Sequence, residues 1–361
     1  MKKNNLKSIV IFTIVLTFIA CDKNLELSPP TVLSDPSFWK VPADFEKAAN
    51  AFYFTLGGNG VGTLDANSDI TVGSSSNNVS SGNIITPQSS AFWEGSYSTI
   101  RGTNKLLENY ETATDIKSEI IRYAAEARFF RARTYFNLII SYGDVPLITR
   151  VLEIDSEELY APRTPRAEVV NFILEDLDFA AANLPVESAI SNTEKGRVSK
   201  GAVLSFKARV GLYEGTLTKY HSTGANSLHY LDLAISAAEQ VIASREYELF
   251  TDFGTDQSYR YLFIDEGEGS SESILARRYD EPQGIFHNAT RWIKTGLSNP
   301  TKVLADMYVA TDGLPIEKSP LFQGYDTMIS EFENRDPRMA QTIIVPGTVF
   351  NYLGADEIIL P

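Results

Sequence analysis

The sequence is poor in the residues that hold metals and close disulfides. Across 361 residues cysteine occurs once, at Cys21, and histidine three times, at His221, His229 and His287. A lone cysteine excludes an intramolecular disulfide and any cysteine-based zinc site. Three scattered histidines leave no His-rich metal site either, so neither a metal nor any other cofactor is implied. No phosphate-binding glycine loop and no Ser-His-Asp pattern is present. Positive charge is the minority sign, with 32 Lys and Arg against 46 Asp and Glu and a net charge of -14. Such a surface repels nucleic acid and anionic lipid, which excludes nucleic acid as a partner and leaves neutral or cationic ligands and protein partners.

What is present supports a folded, non-catalytic protein. Hydrophobic residues make up 43% of the chain and aromatics 11%, enough for a packed core. With 46 carboxylates some close pairs are inevitable, so a glycosidase dyad does not follow from their number. The one pair worth naming, Asp280-Glu281, consists of neighbours whose side chains point apart.

The amino terminus, MKKNNLKSIVIFTIVLTFIAC, has the form of an export signal. Lysines precede an apolar run from Ile9 to Ala20 that is too short to remain as a membrane span, and a small residue stands before the cut. The sole cysteine follows directly. Phe18-Ile19-Ala20-Cys21 resembles a bacterial lipobox, with Phe18 where leucine is more usual, and the thiol would carry the lipid. Residues 1–20 are therefore expected to be a signal peptide and Asp22–Pro30 part of a lipidated tether over residues 21–34. Loss of Lys2, Lys3 and Lys7 takes the net charge from -14 to about -17. Several acyl chains would anchor the protein stably to a membrane.

Beyond the tether, a helix is expected from Asp35-Pro36 through Tyr53, with Trp39 in the core. Gly57 to Ser90 then holds six glycines, many Ser, Asn and Thr, and no aromatic. That is long for a plain loop, so it is either a flexible insertion or a polar ligand rim using Asp69, Asn77 or Asn78. Trp93 reads as packing at the start of the next helix. Glu119 to Tyr142 has no helix breaker from Ile120 to Ser141 and is apolar nearly all round, so it lies among other helices. Arg128, Arg131 and Arg133 then need acidic partners or solvent. Gly143 caps the helix and Pro146 stops it. Further helices are expected over 166–180, with Val169, Ile173, Leu177 and Ala180 inward, and over 200–214 and 230–243. Phe206-Lys207-Ala208-Arg209 echoes Phe130-Arg131-Ala132-Arg133 at an offset of 76 residues, a loose match to two tetratricopeptide-like repeats. Ser273–Tyr279 is a candidate strand, and the loop from Asp280 to Pro300 contains Phe286, His287, Arg291 and Trp292.

Three stretches resemble a known family. They are the run AEARFFRARTYFNL followed by YGDVPL, the block Val303–Tyr308 with Thr311-Asp312-Gly313-Leu314-Pro315-Ile316, and Phe332–Met339 with its Asn334-Arg335-Asp336-Pro337-Arg338 core. In that order they are similar to the landmarks of SusD/RagB-type outer-membrane nutrient-binding lipoproteins. In the last stretch Pro337 is expected to fix a turn while Arg335 and Arg338 pair with carboxylates. The resemblance implies a mainly α fold: a tetratricopeptide-like helical-repeat core with an irregular, ligand-facing lobe of loops and short strands. It covers residues 35–361 and implies that relatives continue further. It also implies an outer-membrane lipoprotein, facing outward, that captures a glycan or other nutrient and passes it to a SusC-like TonB-dependent transporter without breaking a bond. A helical scaffold that recognises only protein and an all-α glycoside hydrolase are the competing readings. Aromatic faces stack on sugar rings while polar side chains bind hydroxyls. Trp292 is therefore the leading candidate platform, with His287, Arg291, Asp69, Asn77 and Asn78 as companions.

Overall fold

The computed structural model describes residues 38–57, 64–75, 77–221, 226–287, 289, 291, 295–296, 299–352 and 355–358. Its backbone is mostly helical. The longer helices are α1 (Pro42–Asn50), α2 (Ala91–Thr112), α3 (Lys117–Tyr142), α4 (Arg166–Asn183), α5 (Lys200–His221) and α6 (Ser227–Ser244). Each of α2 to α6 packs on the next, and α1 lies against α3, the stacking of a tetratricopeptide-like core.

Helix α1 begins at Pro42, later than the Asp35-Pro36 start expected from sequence. Asp44 explains the start, because its carboxylate accepts from the backbone N–H of Lys40 and of Val41 and so caps the first turn. Trp39, half-buried, sets its ring edge-on to Phe45 at 5.1 Å. A 3-10 turn, Ala51–Leu56, continues from the end of α1.

Helix α3 is the centre, as its all-round apolar character requires. Ala124, Ala127, Phe129, Phe130, Tyr135, Leu138 and Ile139 are all buried. Burying each large side chain contributes about 1.5–3 kcal/mol. Phe206 of α5 meets Phe129 and Phe136 edge-on, and Phe136 also meets Tyr213, which joins the two segments that share the Phe-x-Ala-Arg echo. On α4 the expected inward set, Val169, Ile173, Leu177 and Ala180, is fully buried. Helices α5 and α6 approach so closely that a Cβ on Gly211 would come within 2.7 Å of the Tyr230 carbonyl.

The residues that end α3 each have a task. Gly143 adopts φ +70°, and its N–H reaches the Ile139 carbonyl. Asp144 accepts from the Arg166 N–H at 2.8 Å and so caps α4. Val145 is buried and bridges to Thr164. The Pro146 carbonyl accepts from the Tyr97 hydroxyl on α2 at 2.8 Å.

The arginines of α3 divide. Arg131 grips Asp176 of α4 with two bonds of 2.7 and 2.8 Å and donates to Asn104 of α2 at 2.7 Å. Arg128 also reaches Asp176, at 3.4 Å. Arg133, by contrast, donates to the Thr55 carbonyl at 2.9 Å rather than to an acid. Burial pushes the Asp176 carboxyl upward, and Arg131 opposes the shift.

A smaller apolar cluster, Ala305, Met339 and Ile343, joins α7 (Lys302–Met307) to α8 (Pro337–Thr342). Here the expected pairing holds for Arg338, which binds Asp336, but not for Arg335. The buried Arg335 guanidinium instead donates to the carbonyls of Ala305, Tyr308 and Glu331. The carbonyls of Ala305 and Tyr308 lie at the end of α7, where intrahelical donors run out and Ala305 otherwise receives only a long bond of 3.4 Å from the Tyr308 N–H. Two short antiparallel ladders complete the described chain: β1 (Thr71–Val72) with β2 (Asn299–Pro300), and β3 (Val349–Tyr352) with β4 (Ala355–Ile358). Ser273–Tyr279, expected as a strand, is irregular and pairs with no strand among the described residues; the chain makes a single bridge, Asp280 to Ile285, just beyond it.

Replacing Asp176 by Ala leaves the Arg131 guanidinium buried without its acid and is expected to destabilise the fold by about 3–5 kcal/mol. Urea unfolding measures this, and a midpoint equal to the wild type would remove the fork from the account.

Candidate functional site

A cleft of about 400 Å³ opens where the 3-10 turn after α1, the loop before α5 and the irregular segment 276–285 meet. Its first wall carries Tyr53 and Phe54. The turn that follows α1 sends Tyr53 inward, where its ring meets Phe130 edge-on at 4.8 Å, and leaves Phe54 77% exposed. The Tyr53 hydroxyl accepts from the Val198 N–H at 2.9 Å, and burial, with the Glu126 charge adding to it, pushes this phenol far above its ordinary range.

The second wall is the loop before α5. Arg197 forms two parallel bonds to Glu126 of α3, at 3.0 and 2.9 Å, and a third to Asn50 of α1 at 2.6 Å. Its guanidinium also lies 5.5 Å from the rings of Tyr53 and Tyr123. Burial pushes Glu126 above the usual carboxylate range and Arg197 opposes the shift. Next to it, Gly196 has φ +94°, and a Cβ there would fall 2.8 Å from Cγ of Arg278. Only glycine lets the two walls close this far.

The third wall is formed by Ala276, Arg277, Arg278 and Ile285. Arg277 donates to the Gly57 carbonyl, while Arg278 donates to the Glu268 carbonyl at 3.4 Å. The cleft therefore combines an exposed aromatic face with donors and carboxylates on rigid supports, a composition that can hold a sugar ring and its substituents. Among the described residues no group of three His, Cys, Asp or Glu could hold a metal ion.

Of the candidates read from sequence, His287 lies just outside this cleft. Its ring meets Tyr279 edge-on at 4.8 Å, and its Nδ1 accepts from the Ala289 N–H at 3.2 Å. Tyr279 in turn lies 5.9 Å from the Arg277 guanidinium. The polar stretch and the Arg291 stretch meet elsewhere, at the β1–β2 ladder, where Thr301 donates to the Asp69 carbonyl at 2.6 Å. Asp69 and Asn78 are exposed, and the Asn78 carbonyl accepts from the Asn83 N–H. The Asn77 side chain is engaged locally, accepting from the Val79 N–H and donating to Asn67. Arg291 is exposed, and its carbonyl accepts from Thr295. Trp292 and Cys21 lie outside the described residues. Tyr53, Phe54, Arg197, Arg277 and Arg278 were not singled out by sequence reasoning. The only hint of them was the Arg277-Arg278 pair ending a supposed strand.

Comparison with known proteins agrees with this architecture. A SusD-like family model described as starch-binding and associating with the outer membrane matches residues 56–212. A SusD-like protein of Formosa agariphila is 28% identical over 72% of this chain and 50% of its own length. One from Bacteroides ovatus is 26% identical over 96% of this chain and 61% of its own length. The crystal structure of a SusD-like protein from Bacteroides fragilis superposes with a TM-score of 0.74 at 26% identity, covering 91% of this chain and 65% of that one. The chain is SusD-like in sequence over residues 56–212 and in fold over 91% of its length. A laminarin-binding SusD-like protein of known structure is 28% identical, with a TM-score of 0.51, over 64% of this chain and 50% of that one. The SusD-like chain spans about half the length of the Formosa relative.

Replacing Gly196 by Ala is expected to destabilise the protein by about 1–3 kcal/mol, through the positive φ and the contact with Arg278. Thermal unfolding reads this out, and an unchanged melting temperature would refute the close approach of the two walls.

Proposed function

We propose that this protein is a surface lipoprotein that captures a glycan and delivers it to a SusC-like TonB-dependent transporter. Its role is binding, without bond cleavage. The observation that carries the reading is the aromatic-and-polar cleft beside Phe54, found in a chain that matches a family described as starch-binding and associated with the outer membrane. The laminarin-binding relative supports a carbohydrate as the ligand class. Phe54 offers a face for the C–H side of a pyranose, and the surrounding donors and carboxylates hold its substituents.

In this reading residues 1–20 are cleaved, Cys21 receives the lipid, residues 21–34 form the tether, and the domain from residue 35 binds. No described helix is long and apolar enough to cross a membrane. Attachment through Cys21 supplies the membrane association that the family description names. The tether then leaves the domain free to dock on a transporter.

Two measurements test the proposal. Cells expressing the full chain and fed a labelled fatty acid should label the protein, whereas a Cys21→Ser variant should stay unlabelled and leave the membrane fraction. Equal labelling of both would overturn the anchor. Purified protein should bind glycan without shortening it, and Phe54→Ala should weaken binding about tenfold, the size expected for losing one stacked ring. Release of shorter sugars would overturn the non-catalytic reading, and unchanged affinity would remove Phe54 from the site.

A further inference from the structure

The cleft departs in charge from the rest of the molecule. The chain as a whole carries -14, yet this cleft is lined by Lys195, Arg197, Arg277 and Arg278 against only Glu46 and Glu194. Both carboxylates already face arginines: Glu194 bonds Arg122 at 2.9 Å, and Glu46 lies 3.9 Å from Arg197. Among the cations, Arg197 is committed to Glu126, and Lys195 lies 3.1 Å from Glu187. Arg277 and Arg278 differ. Among the described residues neither forms an ion pair, and their bonds go to the main-chain carbonyls of Gly57 and Glu268. Each fork therefore keeps donors to spare for an anion.

Their placement adds direction. The two arginines follow one another on the irregular segment, and their guanidinium groups bond toward different ends of the cleft wall, Arg277 to Gly57 and Arg278 to Glu268. Arg277 lies toward Gly57, at the Phe54 side. Arg278 lies over Gly196, where the cleft adjoins a second pocket of about 240 Å³ lined by Ser270 and Ser273 and also by Glu268 and by Glu187, whose charge Lys195 meets at 3.1 Å. The groove thus offers, in order, an aromatic face, a first guanidinium, a second guanidinium and a hydroxyl-lined extension.

Resting on the glycan-capture reading, we infer that the ligand of this groove is an acidic oligosaccharide carrying carboxylate or sulfate groups on its sugar units, read by Arg277 and Arg278. A planar guanidinium matches either group through two parallel bonds. The overall negative charge does not forbid this. At physiological salt, interactions fade beyond about 8 Å, so the ligand responds to the charges lining the groove rather than to distant carboxylates.

The test is isothermal calorimetry on the full-length protein with three probes: oligogalacturonate for carboxylate, dextran sulfate for sulfate ester, and laminarin as the neutral glycan. One or both acidic probes should bind more tightly than laminarin and weaken with added salt. The Arg277→Ala/Arg278→Ala double variant should lose about tenfold or more in that affinity, clearly more than it loses for laminarin, while still unfolding in one cooperative transition. The Arg277→Lys/Arg278→Lys variant should recover part of the loss, because it restores charge without the fork. Tighter binding of laminarin than of both acidic probes, or acidic binding indifferent to the double variant, would overturn the inference and leave glycan capture standing. Failure of all three probes to bind would overturn both.

Discussion

The guanidinium of Arg131 is the point on which the helical core depends. It is only 5% exposed and sits among α2, α3 and α4, with Asp176 on one side and Asn104 on the other. A charge so placed is tolerable only if every donor is met, and that requirement sets the register of three helices together. Asn104 passes the constraint onward by donating to the carbonyls of Ile148 and Arg150, which ties the loop after α3 to α2. The same device recurs at the next junctions. Arg166 forks onto Glu214 between the start of α4 and α5, and Arg197 forks onto Glu126 between the loop before α5 and α3. Apolar packing supplies most of the stabilisation, whereas the forks decide which way the helices face.

The last of these forks links scaffold and site. Because Arg197 is held from α3 and α1 at once, the loop that forms one wall of the cleft cannot drift from the turn that carries Tyr53 and Phe54. Gly196 then allows Arg278 to close against that loop. The site is thus built on the rigid core and finished by an irregular segment, so its aromatic face is fixed while its cationic side rests on main-chain bonds.

Much of the core was legible in the sequence because a buried helix leaves a local record. The uninterrupted apolar circumference of α3, the Gly143 stop and the inward spacing of Val169, Ile173, Leu177 and Ala180 depend on neighbours a few residues away. The need of Arg131 for an acid was legible too, although its partner, 45 residues distant, was not. The misses share one physical cause. Arg133 and Arg335 are satisfied by main-chain carbonyls, which leave no mark in a sequence. Ser273–Tyr279 has the composition of a strand, but a strand also needs a partner edge, which only the tertiary fold supplies. The cleft draws its walls from three distant stretches, so nothing local in the sequence marks Phe54 and Arg278 as neighbours.

We propose that the ligand occupies the cleft closed by Tyr53, Gly196 and Arg278. Amide hydrogen exchange with and without saturating oligosaccharide tests it most directly, because it reports where binding occurs without assuming which side chains matter. Slowed exchange is expected at residues 53–57, 194–198 and 276–285, with little change along α6. Protection confined to residues outside these three stretches would contradict it.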